Sequence, residues 1–172
     1  MGLSTRTLWR HFRSKESCAE PIVMQGVRTL LSVLHTWPRE VSLTQHLVAE
    51  LTRLGQEKPP VDLADEMLAM KMIHLADTEP ALRTAWLMAC DQTERELSAI
   101  IGGRLERPAD DLEVRLYAAS AAAVVRVLDE HIGAAILAGC DLTESEDVPS
   151  LARRYAQAIH TATGGAIGDP VV

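Results

Sequence analysis

From Val41 to Leu54 the leucines fall every three or four positions, at Leu43, Leu47, Leu51 and Leu54. That spacing puts them on one face of a helix. It returns between Asp62 and Leu75, where Leu63, Met67, Met70 and His74 share a stripe. No segment alternates apolar and polar residues with a period of two, and no two-residue hairpin turn appears, so nothing in the sequence asks for a sheet. Ala, Leu and Val carry the apolar content while aromatics make up only 3%. Strands favour β-branched and aromatic side chains, so this balance also points to helices. The expected fold class is all-α, with about seven helices.

Proline, glycine and small polar residues mark the breaks. Ser4 caps a helix that can run to Arg13, and Ser14 caps a second that continues to about Trp37, where Pro38 stops it. Pro21 lies inside the second helix and should bend it or shift its start. Gly55 should end the helix of Val41–Leu54, and the segment QEKPP (56–60) reads as a loop. A helix over 80–101 starts at Glu79-Pro80 and should stop at Gly102-Gly103. Pro108 opens a helix over about 109–138 that Gly139 closes, and Thr143 caps a last one over about 144–163. GGAIGDPVV, the final stretch, reads as a frayed tail. The organisation expected is a short N-terminal unit (1–20), a helical body (21–165) and a flexible tail (166–172). At 172 residues the chain suits one domain, or a small domain joined to a larger one.

Charge is unevenly spread. The formal net charge is −7, yet residues 1–16 hold Arg6, Arg10, Arg13 and Lys15 against Glu16, a local +3 that leaves −10 for the rest. An acidic body with a basic end reads as a soluble body whose end meets an anion. Arg6, Arg10 and Arg13 share one face of the first helix, with Trp9 beside them; Leu8 and Phe12 form its inner face. Cys18, Cys90 and Cys140 are far apart and odd in number, which implies neither a disulfide framework nor a metal site and fits a reducing, cytoplasmic setting. The basic start runs into polar residues, unlike a secretion signal. The longest apolar stretch, Leu116 to Val125, is broken by Arg126 and is too short to span a bilayer.

The stretch GLSTRTLWRHFRSKE, residues 2–16, resembles the second half of the DNA-binding domain of the TetR (tetracycline-repressor-like) family. Gly2 stands at the family's turn. Ser4, Thr7, Leu8, Trp9, His11 and Phe12 match its recognition helix, and Ser14, Lys15 and Glu16 match the start of its connecting helix. The resemblance implies a partial helix-turn-helix followed by a helical ligand-binding and dimerisation domain. It places Ser4, Thr5, Arg6, Thr7, Trp9, Arg10, His11 and Lys15 at the DNA. A helix-turn-helix sets the N-terminal residues of its second helix toward base edges, where the fork of Arg6 suits guanine. Lys15, at a helix N-terminus, suits a phosphate.

Family members carry a first helix and the first half of the motif before this point, and Met1 falls where that earlier helix ends. Without them Leu8 and Phe12 lack packing partners, and a lone short helix is marginal in water. The chain as written is therefore expected to bind specific DNA weakly or not at all. Two functions stand side by side. One is a ligand-responsive transcriptional regulator, a repressor acting on operator DNA as a cytoplasmic homodimer. The other is a helical ligand-binding or dimerisation module unable to bind DNA alone. The sequence names neither inducer nor operator.

In the body, the resemblance assigns the last two helices to dimerisation. The small residues Ala118, Ala119, Ala121, Ala122 and Ala123 allow close helix approach, either to a second copy or inside the chain's own core. An apolar or amphipathic inducer is expected among the middle helices, beside Met24, Met67, Met70, Trp86, Met88 and Cys90. Arg126, a cation in an apolar stretch, would meet an acidic group on the ligand, or pair with Asp129 or Glu130, or reach the surface. An enzyme is not expected: the histidines at 11, 35, 46, 74, 131 and 160 form no metal pair, and no nucleophile–base set is evident. Asp62, Asp65 and Glu66 are more simply explained by capping and solvation than by a metal. No cofactor, resident metal or membrane partner is expected.

Overall fold

The computed structural model describes residues 19–57, 60–138 and 147–171, and among these every regular element is a helix. There are six: α1 (Glu20–His35), α2 (Leu43–Glu57), α3 (Pro60–Leu75), α4 (Pro80–Leu105), α5 (Leu112–Leu137) and α6 (Val148–Ala162). The helix expected over Ser4–Arg13, with every residue assigned to DNA, lies outside the described residues, as do Thr143 and Gly139.

α1 lies at the centre. Pro21 occupies its first turn, where the missing N–H costs nothing, so the proline starts this helix and does not bend it. Val23, Met24, Val27, Leu31, Val33 and Leu34 are all buried, against α3 on one side and α4 on another. α5 packs along α4, α3 and α6, and α2 closes the bundle against α6. Ser42 and Gln45 cap α2 reciprocally: the Gln45 amide donates to Ser42 Oγ at 3.2 Å and the Ser42 amide donates to Gln45 Oε1 at 3.4 Å. Asp111 accepts from the amides of Glu113 and Val114 at the start of α5. Asp147 accepts from Ser150 at the start of α6.

α3 starts a little earlier than expected, at Pro60, and α5 and α6 a little later, at Leu112 and Val148, and three ends differ for a physical reason. α2 runs through Gly55 to Glu57, because an exposed glycine weakens a helix without ending it. α4 runs through Gly102 and Gly103 to Leu105, and it is Glu106, at φ 55°, that ends it in the left-handed region. Gly102 serves packing: a Cβ there would lie 2.9 Å from the Arg107 carbonyl oxygen, which folds back over the helix.

The third correction concerns the end of the chain, expected to be a flexible tail. Ile167 is buried, the Leu43 amide donates to the Gly168 carbonyl at 2.8 Å, and the Val171 amide donates to Arg39 at 2.8 Å. The tail thus supplies an acceptor to the first turn of α2. Arg104 fastens it further. Only 6% exposed, this guanidinium donates to the carbonyls of Pro38, Arg39, Val41 and Asp169 at 2.8–3.1 Å and stacks 3.4 Å from the Trp37 ring. Trp37 donates its indole N–H to Val41 at 2.7 Å. A buried cation is tolerated because its donors are met and the ring covers its face.

Of the α5 alanines, Ala118, Ala121 and Ala122 are buried in the chain's own core and let α4 and α5 approach. Ala123 is exposed and Ala119 half-buried, so the small-residue stripe serves mainly intramolecular packing.

Candidate ligand cavity

A cavity of about 440 Å³ opens between five helices. α1 contributes Val27, Thr29 and Leu30, and α2 contributes Leu51. Glu66, Met67 and Met70 come from α3, Asp129 and Ile132 from α5, and Leu151 and Tyr155 from α6. One turn beyond Asp129, Gly133 brings α5 against the α3 backbone at the edge of the cavity. A Cβ at Gly133 would sit 2.5 Å from the Met70 carbonyl oxygen. The walls are almost wholly apolar, and the volume falls in the ordinary range for small-molecule sites.

Besides Thr29 and Glu66, one hydrogen-bonded polar pair interrupts the apolar wall. The Tyr155 hydroxyl donates to Asp129 Oδ1. Asp129 is only 5% exposed. Burial pushes its carboxyl up to about 7; the tyrosine hydroxyl pulls the other way, and the neighbouring Glu130 adds to the rise.

Next to it, on another face of α5, Glu130 accepts from Arg83 at 2.9 Å, from the Trp86 indole at 3.0 Å and from Arg126 at 3.2 Å. Arg126 therefore takes the structural alternative, pairing with Glu130, and does not line the cavity.

The other residues expected at the ligand divide sharply. Met67 and Met70 do line the cavity. Trp86 is fully buried, with its N–H on Glu130. Met24 is core, and Met88, 56% exposed, shares a separate shallow depression with it. Cys90 sits half-buried beside Arg126, its thiol pushed up to about 12, mainly by burial. Trp86, Met88 and Cys90 share one reason: no described α4 residue lines the cavity, and they lie instead against α5 or α1 or in solvent. Asp129 and Tyr155 were missed. The available signal was an acid on the core stripe of α5, in register with Ala118, Ala122, Val125 and Ile132.

Among the described residues no group of His, Cys, Asp and Glu is arranged to hold a metal. No described helix is long and apolar enough to cross a membrane.

Fold and cavity together define an all-helical domain built around an interior apolar pocket. Residues 42–157, from the cap of α2 to within α6, match the family model of the MftR C-terminal domain, a TetR-type C-terminal domain, and the chain belongs to the TetR family of regulators. No curated protein and no solved structure matches the chain.

Proposed function

We propose that this chain is a ligand-responsive transcriptional regulator, a repressor that binds operator DNA as a homodimer and is released by a small molecule held in the cavity between α1, α2, α3, α5 and α6. The observation that carries this reading is the place of α1. Val27, Thr29 and Leu30 of this helix form one wall of the cavity. α1 also follows directly, in sequence, the stretch that resembles a recognition helix. A molecule that fills the cavity must press on α1, and a shift of α1 is passed to whatever precedes it. A ligand acts in this way only through its different affinity for the two positions of α1.

Dimerisation is supported by an apolar surface on α5 and α6. Leu116 and Val127 are more than half exposed, and beside them Ala123, Val124 and Leu128 line a shallow groove with Ala158 and Ala162. Contiguous apolar surface of this kind marks an interaction site. Two copies related by a two-fold axis would present paired half-sites.

The test is selection from a random DNA duplex library by the chain joined to the first half of a helix-turn-helix, which the resemblance calls for ahead of residue 2. Enrichment of an inverted repeat, abolished by Arg6→Ala, is the expected result, whereas residues 1–172 alone enrich it weakly or not at all. A joined chain that dimerises and binds small molecules but enriches no sequence would refute the DNA-binding half and leave a ligand-binding module.

A further inference from the structure

The geometry points to a lipophilic cation as the ligand class: an apolar body carrying a protonated amine, with the amine seated against the Asp129 carboxylate. This rests on the cavity being the ligand site.

Asp129 is 95% buried, yet it forms part of the cavity wall. Among the described residues the Tyr155 hydroxyl is its only side-chain hydrogen-bond donor, and that bond occupies Oδ1. A carboxylate accepts at both oxygens, so Oδ2 has capacity for a donor from inside the cavity. Glu66 adds a second acid to the wall. Among the described lining residues there is no Lys, Arg or His. The guanidiniums of Arg83 and Arg126 are committed to Glu130 outside the lining.

These facts rank the ligand chemistries. A carboxylate or phosphate would lose its water beside the buried Asp129, with no Lys, Arg or His among the described lining residues, which is strongly unfavourable. A neutral apolar molecule gains burial but leaves Asp129 with a single donor. An ammonium gains the same burial and adds a charge-assisted hydrogen bond in a dry setting, where such bonds are strongest. Met67 and Met70 let the apolar end vary in shape.

Tyr155 on α6 and Glu130 beside it on α5 bear on the ionisation of Asp129, and the Cys90 thiol on α4 interacts with it. Glu66 shares the cavity wall on α3, and the His74 Cβ lies against Gly133 one turn on. The cavity residues of α1 and α2 are uncharged. Burial holds the carboxyl near 7, so a cation entering below that pH must displace a proton. Amine affinity should therefore rise from pH 6 to pH 8.

The experiment is calorimetric titration of the full chain at pH 7.5 with decylamine, decanol and decanoate, which share one apolar tail. Decylamine is expected to bind at least about tenfold more tightly than the other two, the size of one charge-assisted bond. Asp129→Asn should reduce it to the level of decanol while leaving decanol unchanged. Tyr155→Phe, which keeps the carboxylate, should retain the preference, so the inference stays testable even where the asparagine variant fails to fold. Decanoate binding as tightly as decylamine, or a preference that survives Asp129→Asn, overturns the cation assignment. Equal binding of all three that Met70→Trp blocks also overturns it, but leaves the cavity as the ligand site. Binding of none of them, or binding indifferent to Met70→Trp, overturns the cavity reading as well.

Discussion

Replacing Asp129 by asparagine should stabilise the protein at neutral and alkaline pH. The carboxyl has an ordinary value of 3.8 in the unfolded chain and about 7 in the fold, because burial disfavours its charged form. Raised in the fold, it favours folding fully only below its unfolded value. That advantage is lost as pH climbs through the window from 3.8 to about 7. Linkage over this window gives a penalty that grows by a few kcal/mol between pH 5 and pH 8. Asparagine keeps an oxygen to accept from Tyr155 and carries no charge, so it escapes the penalty at both. Any constant cost of the substitution, such as an amide N–H left without an acceptor, cancels between the two conditions. The stability gap between variant and parent should therefore widen in favour of the variant by roughly 2–3 kcal/mol from pH 5 to pH 8. Urea denaturation of both proteins at the two pH values measures it. A gap that stays constant with pH would mean that Asp129 titrates normally and is not desolvated by the cavity wall, and the reasoning would fall.

Arg104→Met keeps the bulk but removes donors from four carbonyls, and should cost about 3 kcal/mol of stability; faster exchange of the Leu43 and Val171 amides, which donate to Gly168 and Arg39, would show the tail released, and parental exchange there would contradict the fastening described. Gly133→Ala must push α5 from the Met70 carbonyl and should destabilise by about 2 kcal/mol, whereas Gly103→Ala, exposed in α4 with nothing within 4 Å of the added Cβ, should stabilise by about 0.5–1 kcal/mol; thermal melts that rank the pair the other way would contradict the packing. Val127→Arg, at an exposed apolar position of α5, should shift sedimentation from dimer to monomer without loss of helicity, and an unchanged sedimentation coefficient would place the interface elsewhere.

The helices were legible because their signals are local. Leu43, Leu47 and Leu51 give the period of α2, and Pro80 marks the start of α4, whereas the caps Asp111 and Asp147 lie a few residues beyond the starts read at Pro108 and Thr143. What failed depends on packing that the local pattern does not carry. Gly102 looks like a stop until Arg107 folds over it. GDPVV looks like a frayed end until Arg104, more than sixty positions earlier, binds Asp169. The cavity was half legible for the same reason: Met67 and Met70 were found by type, but type also selected Met88 and Cys90, which α4 carries elsewhere. Asp129 was weighed only as a partner for Arg126, although its place on the apolar stripe of α5 marked it as buried.

The claim on which the account turns is that a molecule in this cavity acts on α1. Amide hydrogen exchange of the full chain with and without saturating decylamine tests it directly. Added protection should appear at Val27–Leu31 of α1, together with Asp129–Ile132 of α5 and Leu151–Tyr155 of α6. Unchanged exchange across α1, with protection instead around Met88–Arg95 of α4, would contradict it.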